Sequence, residues 1–242
     1  TLDFLYNHPL YRKLNFYGGT CLHVIYGLNR LSEDIDLDNS NRIDLGNLEN
    51  DLLAFYRSSI EYPDVTAKTQ TGEWGVRRTT LKFPILYDLG LTSHANEPLH
   101  LKVEVSQHRQ ISIVHRTPIL TFGRSFVAAH FSLETMMAGK MLACLERNFQ
   151  RGEGATIKGR DFYDLLWFMQ QKIMPLEEKL ANDGRQSYTV QSGMELLGEK
   201  IADMKLSDLA EDLLPLFEQR SFIEAWLEGF KENFRQYVKN YL

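Results

Sequence analysis

The stretch from Asn15 to Ser40, NFYGGTCLHVIYGLNRLSEDIDLDNS, contains five residues that leave little choice of structure. Asp34, Ile35, Asp36, Leu37 and Asp38 alternate strictly between acid and aliphatic. A period of two puts both aliphatic side chains on one face and all three acids on the other, the pattern of a half-buried strand. Helical geometry would scatter the acids around the axis. Upstream, Gly18-Gly19 reads as a turn, and Leu22, Ile25, Tyr26 and Leu28 recur at helical spacing through 20–29. The order is glycine turn, short helix, acid-bearing strand. Such a strand buries its aliphatic face only within a sheet, so the chain must supply partners.

Strand-like runs follow at 65–71, 76–87, 99–106, 111–114 and 119–122, with turn signals at Thr71-Gly72, Asp88-Leu89-Gly90 and Asn96-Glu97-Pro98. A helix is expected over 45–60, on the stripe Leu48, Leu52, Leu53, Phe55 and Tyr56. From about residue 130 the texture turns helical. Ser132 reads as an N-cap for a helix to about Asn148, and a Gly-rich charged loop follows over 150–159. A second helix starts near Arg160 and ends before Pro175, a polar linker covers 182–189, and helical patterns cover 190–204, 206–217 and 222–241. The expected class is α+β: residues 1–127 as an α/β core, and residues 128–242 as a helical lobe closing a nucleotide cleft.

With 43% hydrophobic residues the chain can bury a substantial core. Its net charge of −5 exerts no global attraction on nucleic acid, so a polyanionic partner would need a local basic patch. Cys21 and Cys144 are the only cysteines and lack CxxC spacing, which fits a reducing compartment better than a disulfide framework. There is no apolar run of membrane-spanning length and no signal-peptide pattern, so the chain reads as soluble and cytoplasmic, with no membrane partner. Residue 1 is Thr rather than Met, from which the numbered chain reads as less than the whole translated product.

Asp34 and Asp36 stand two apart on a strand, so their side chains share a face with Cα atoms roughly 6–7 Å apart. Two carboxylates so aimed can hold Mg²⁺, which prefers oxygen ligands and shares them with substrate phosphates. The glycine turn has a matching use, because backbone there can approach a phosphate and the following helix start offers unpaired N–H groups. Taken singly, Asp-x-Asp is most often a solvated strand face and Gly-Gly a plain turn; joined by a helix in this order, they favour a site. Glu33 points to the other face and Asp38 lies at the strand end, so neither joins the proposed pair. In LHLKVEVSQ, Leu99, Leu101, Val103 and Val105 alternate with His100, Lys102 and Glu104. Were this strand beside the first, Glu104 would complete a three-carboxylate metal cluster or activate an attacking hydroxyl; alone, it reads equally as a solvent-facing partner of Lys102.

The segment GGTCLHVIYGLNRLSEDIDL, Gly18 to Leu37, resembles the first motif of the abortive-infection (AbiEii-like) nucleotidyltransferase toxins of the polymerase-β-like superfamily. The agreement is Gly-Gly-Thr, then Leu, then Arg-x-Ser-x-Asp-x-Asp at matching spacing. KMLACLERN (140–148) and GRDFYDLLWF (159–168) resemble the later motifs, a Lys-bearing helix and an Arg-Asp-x-x-Asp-Leu helix. The resemblance implies a mixed sheet carrying the acids, and Mg²⁺-dependent transfer of a nucleoside monophosphate from an NTP to a hydroxyl, with tRNA as acceptor. It also implies a toxin role and a cognate antitoxin protein. It places Gly18, Gly19 and Ser32, together with Thr20 and Arg30, at nucleotide-binding positions. Asp34 and Asp36 fall on the metal ligands, Lys140 on the nucleotide-contacting lysine and Asp161 on the later essential acid. Glu104 sits where the superfamily more often has Asp, and Asp164 competes with Asp161 for the cleft.

On helical spacing Asp161 and Asp164 are neighbours, displayed away from the apolar residues Phe162, Leu165, Leu166 and Met169. Lys140 interrupts the stripe Met136, Met137, Met141 and Cys144, where a lysine can also snorkel to solvent. Arg147, Arg151, Lys158 and Arg160 around the glycine loop, with Arg77 and Arg78 in the core half, offer grips for RNA phosphates, although Glu146 and Glu153 argue for a mixed surface. The histidines show no metal-ligand spacing, and Phe222, Trp226, Phe230, Phe234 and Tyr237 read as a packing stripe. The rival readings are transfer to a protein or small-molecule hydroxyl, a non-catalytic NTP-binding regulator, and an interaction protein with an acidic turn.

Overall fold

The computed structural model describes residues 1–72, 75–147, 149–151 and 154–242, with backbone alone at 149–151 and 154–156. The fold is α+β. Its contacts divide it into two compact units: Thr1–Gly27, Ser32–Arg109 and Val114–His130 form the first, and Leu28–Leu31, Gln110–Ile113 and Phe131–Leu242 the second.

The first unit is built on a seven-stranded mixed sheet. In chain order its elements are α1 (Leu2–Asn7), β1 (Asn15–Tyr17), α2 (Gly18–Tyr26), β2 (Asp34–Asp38), α3 (Leu48–Ala54), β3 (Thr66–Thr71), β4 (Arg77–Phe83), β5 (Leu99–Ser106), β6 (Val114–Thr121) and β7 (Arg124–Phe131). The sheet order is β3-β4-β5-β2-β1-β7-β6. The acid-bearing β2 lies near the middle, antiparallel to β1 and parallel to β5. Its aliphatic residues do what the alternation demands: Ile35 and Leu37 are buried, as are Val103 and Val105 of β5 and Leu81 of β4. The helix α2 stops at Gly27, whose left-handed backbone (φ 74°) returns its N–H to the His23 carbonyl.

Differences from the sequence expectations have local causes. The pattern over 45–60 is a shorter α3 continued by a wide π-type turn, Phe55–Ser59. The separate runs at 111–114 and 119–122 are replaced by the single strand β6, whose Pro118 interrupts the sequence pattern. A proline is tolerated there because β6 is an edge strand. The strand β7 and the short elements α1 and β1 carried no clear periodicity of their own.

The second unit holds α4 (Leu133–Glu146), α5 (Gly159–Gln170), α6 (Glu177–Asn182), α7 (Val190–Asp203), α8 (Leu206–Leu213) and α9 (Arg220–Tyr237). The segment read as a Gly-rich loop carries a small hairpin, β8 (Phe149–Arg151) with β9 (Gly154–Thr156). Glu153 and the Arg151 side chain, named above, lie outside the described residues, as does Asn148. Ser132 caps α4 as expected, its hydroxyl accepting the Thr135 N–H at 3.3 Å. At α7, Thr189 and Ser192 form a reciprocal capping box. The stripe on α9 is core, with Ile223, Phe230 and Phe234 buried, while Phe222 at its start is partly exposed. Trp226 stacks on Phe230 at 4.8 Å between ring centroids, and Phe230 meets Phe162 of α5 edge-on.

Replacing the α4 cap tests its contribution. Ser132→Ala should lower stability by about 1 kcal/mol, read as a fall in the urea midpoint at unchanged m-value.

Candidate active site

In the first unit, β2 and β5 run in register, pairing Asp34 with Lys102 and Asp36 with Glu104. The neighbouring β4 pairs Arg78 with Glu104. The acids expected from two separate stretches of sequence therefore share one sheet face. Asp36 also lies against the start of α2: a Cβ built on Gly18 would collide with its carboxylate. Gly18 has φ 79° as well, so both its backbone conformation and its space call for glycine. Gly19 is buried in the same helical turn. The Thr20 hydroxyl donates to the Asp34 carbonyl, joining the helix start to the acid strand. Ser32 is half-buried in the extended approach to β2.

The two acids differ from their neighbour Asp38. Asp38 is fully buried and accepts hydrogen bonds from the Asn15 side chain and the Ser40 N–H, both at 3.1 Å. Asp34 Oδ1 is a buried atom without a hydrogen bond, its nearest cation Lys102 Nζ at 3.3 Å. Burial, followed by the charge of Asp36, pushes the Cys21 thiol up and keeps it protonated. Glu104 is turned to Arg78, which donates to it at 2.6 Å, and the hydrogen bond and charge of Glu104 raise the Arg78 pKa. Arg78 and Glu104 line a concavity of about 560 Å³ with Gln70, Thr71, Gly72 and Val76. Among the described residues no three His, Cys, Asp or Glu side chains are arranged to hold a metal ion. Glu104 is paired with Arg78 here. What remains is the pair Asp34 and Asp36, a donor set that suits Mg²⁺ bound by one or two carboxylates plus phosphates.

The other sequence-predicted residues meet in the second unit. Asp161 and Asp164 are both buried, not displayed away from the core as their helical neighbours suggested. Lys140 Nζ sits between them, 2.7 Å from each, and does not snorkel to solvent. Arg147 binds Asp161 at 2.8 Å. Arg30 clamps Asp164 through two hydrogen bonds, Nε to Oδ1 at 2.6 Å and Nη2 to Oδ2 at 2.7 Å. Burial alone would raise the Asp161 carboxyl, but Lys140, Arg147 and Lys158 outweigh it and hold the group well below the carboxylate range. For Lys140 burial works downward, and Asp161 and Asp164 reverse it, raising its pKa. Arg30 and Lys140 thus each pair with buried carboxylates of α5 in this structure. The pairing of Arg78 with Glu104 and Lys102 with Asp34 was not legible in the sequence, since it needs the strand register.

The family described as "Nucleotidyl transferase AbiEii toxin, Type IV TA system" matches residues 3–242, and the chain belongs to it. Membership makes the protein a transferase of a type IV toxin–antitoxin system and implies an antitoxin partner. The fold is also that of a crystal structure from H. pylori whose protein carries a nucleotidyltransferase assignment. That structure has 21% identity and a TM-score of 0.54, over 98% of this chain and 89% of that one. No curated protein matches the chain. Among the described residues no helix is long and apolar enough to cross a membrane.

Two outcomes follow from this geometry. Gly18→Ala places a methyl group on the Asp36 carboxylate and forces an L-residue into a left-handed conformation, so it should cost about 1–3 kcal/mol by urea denaturation and displace Asp36. The second concerns pH. The folded pKa of Asp161 lies below its unfolded value near 3.8, so the stability it contributes is present above that value and is lost as pH falls below it. Asp161→Asn should therefore be less stable than wild type at pH 7, with the gap closing as the urea midpoints are followed below pH 4.

Proposed function

We propose that the protein transfers a nucleoside monophosphate from an NTP to a hydroxyl acceptor, with tRNA as that acceptor and Mg²⁺ held by Asp34 and Asp36. The observation that carries this reading is the contact of the Asp36 carboxylate with Gly18 at the start of α2, beside an Asp34 oxygen that is buried without a hydrogen bond. Carboxylates at a helix N-terminus, on a strand face also bearing Glu104, suit an ion shared with a triphosphate. When bound, that ion neutralises charge on the phosphates and on the departing pyrophosphate.

The chain's own residues do the positioning. The first turn of α2 offers backbone N–H groups to phosphate oxygens, and Gly18 lets the phosphate and Asp36 approach the same backbone. Thr20 fixes the helix start against β2, and Ser32 adds a hydroxyl on the approach to that strand. In the transfer the acceptor oxygen bonds to the α-phosphorus, the bond from that phosphorus to the bridging β-phosphate oxygen breaks, and pyrophosphate leaves. The acceptor's proton passes to a base, for which Glu104 is the group at hand once Arg78 releases it.

The test incubates the protein with each labelled NTP, Mg²⁺ and total tRNA, beside Asp34→Ala/Asp36→Ala. Wild type should label RNA. The double variant should fall by about 10³-fold or more, the scale of several kcal/mol of lost charge stabilisation. Label on protein or on a small molecule instead would replace tRNA as the acceptor, and label carried equally by both proteins would remove the acid pair from the mechanism.

A further inference from the structure

Register across the first unit's sheet extends the acid face outward as a basic one. One cross-strand row runs Asp36–Glu104–Arg78–Gln70, and the next runs Asp34–Lys102–Thr80–Lys68. A third row adds His100–Lys82–Thr66. Paired residues share a face, so Lys68, Arg78, Lys82 and Lys102 stand on the same side of the sheet as Asp34 and Asp36. Lys68, Arg78 and Lys82 are exposed, whereas the opposite face carries the buried Thr79, Leu81, Val103 and Val105. On β3 and β4 this face has no acid at all, in a chain with 32 acidic against 27 basic residues. Among the described residues, Lys68 and Lys82 form no ion pair, unlike Arg78 and Lys102, which are paired with Glu104 and Asp34.

A lysine on an edge strand such as β3 also discourages sheet extension, which would account for Lys68. It does not account for Lys82, on an inner strand, or for three exposed cations continuous with a carboxylate pair. From β2 to β3 is three strand spacings, roughly 14 Å, enough to carry several phosphates of a polynucleotide. We propose that the exposed face of β3–β5 seats the phosphate backbone of the RNA acceptor, with Lys68 and Lys82 as sequence-independent contacts. This rests on the nucleotidyl-transfer reading above. The concavity at Gln70, Arg78 and Glu104 lies on this face next to Asp36, where an RNA hydroxyl would arrive. Charge complementarity selects the occupant: a protein of net charge −5 attracts a polyanion only through a local patch of this kind.

The experiment titrates tRNA onto the full chain across a range of salt, for wild type, Lys68→Ala/Lys82→Ala, and Lys13→Ala/Lys239→Ala. The last removes the same charge from exposed positions elsewhere. The β-face variant should bind tRNA about tenfold more weakly, and its log Kd against log salt should be shallower by about 1.4, two contacts at roughly 0.7 each. Its NTP affinity and thermal midpoint should match wild type, and its loss in transfer should appear in the KM for RNA rather than in kcat. Equal losses in both variants, no loss in either, or displacement of tRNA by polyglutamate as readily as by unlabelled RNA would overturn the proposal. A failure of the parent reading is separable: it appears as no pyrophosphate released with any NTP and acceptor, whereas the tRNA titration involves no chemistry.

Discussion

The parallel, in-register pairing of β2 with β5 is the constraint on which the first unit depends. It places Asp36 directly beside Glu104, and like charges at paired positions destabilise a sheet. The neighbouring residues answer that cost: Arg78 on β4 takes Glu104, and Lys102 on β5 lies against Asp34. The position of β4 is therefore set by charge as well as by the burial of Leu81 and Thr79. Parallel strands cannot be joined by a hairpin, so the chain between β2 and β5 must travel out and return. The elements α3, β3 and β4 are that excursion, and they bring the basic residues to the same face as the acids.

The second unit rests on a different balance. Two acids three residues apart on α5 grip one lysine on α4, with Arg147 and Arg30 taking the remaining carboxylate oxygens. Removing such charges from water is expensive, and only near-complete pairing makes it tolerable. Each partner is engaged at 2.6–2.8 Å, on helices whose Met136, Met137, Met141, Phe162 and Leu165 are buried. Apolar surfaces can slide past one another at small cost, whereas a lysine held between two carboxylates admits one register. The network thus specifies how α4 and α5 meet, whatever its net contribution to stability.

Strong periodicity made much of the fold legible. The Asp34–Asp38 alternation, the β5 run and the Ser132 cap all follow from local pattern, because each element's own residues decide it. The sheet order did not follow, nor did the ion pairs, which depend on register between segments far apart in sequence. Asp161 and Asp164 show the limit most clearly: helical spacing made them neighbours but displayed them away from the core, since nothing local reveals that Arg30, 134 residues from Asp164, would arrive to neutralise one of them. Arg30 likewise carried no local sign of its buried bidentate clamp on Asp164.

The same strand offers its own discrimination between a structural acid and a functional one. Asp38 shares a face with Asp34 and Asp36, yet two donors satisfy it and it is fully buried. Asp34 keeps a buried oxygen without a hydrogen bond, and Asp36 faces a glycine whose space and backbone angle no other residue fits. Buried polar atoms in native proteins are nearly always paired, and left-handed backbone costs stability outside glycine. At β2 the two rules meet: Asp34 Oδ1 has the Lys102 ion pair in place of a hydrogen bond, and Gly18 supplies the left-handed turn against Asp36. Asp38 ties the strand end to Asn15 and Ser40, whereas Asp36 occupies the space that Gly18 leaves at the start of α2.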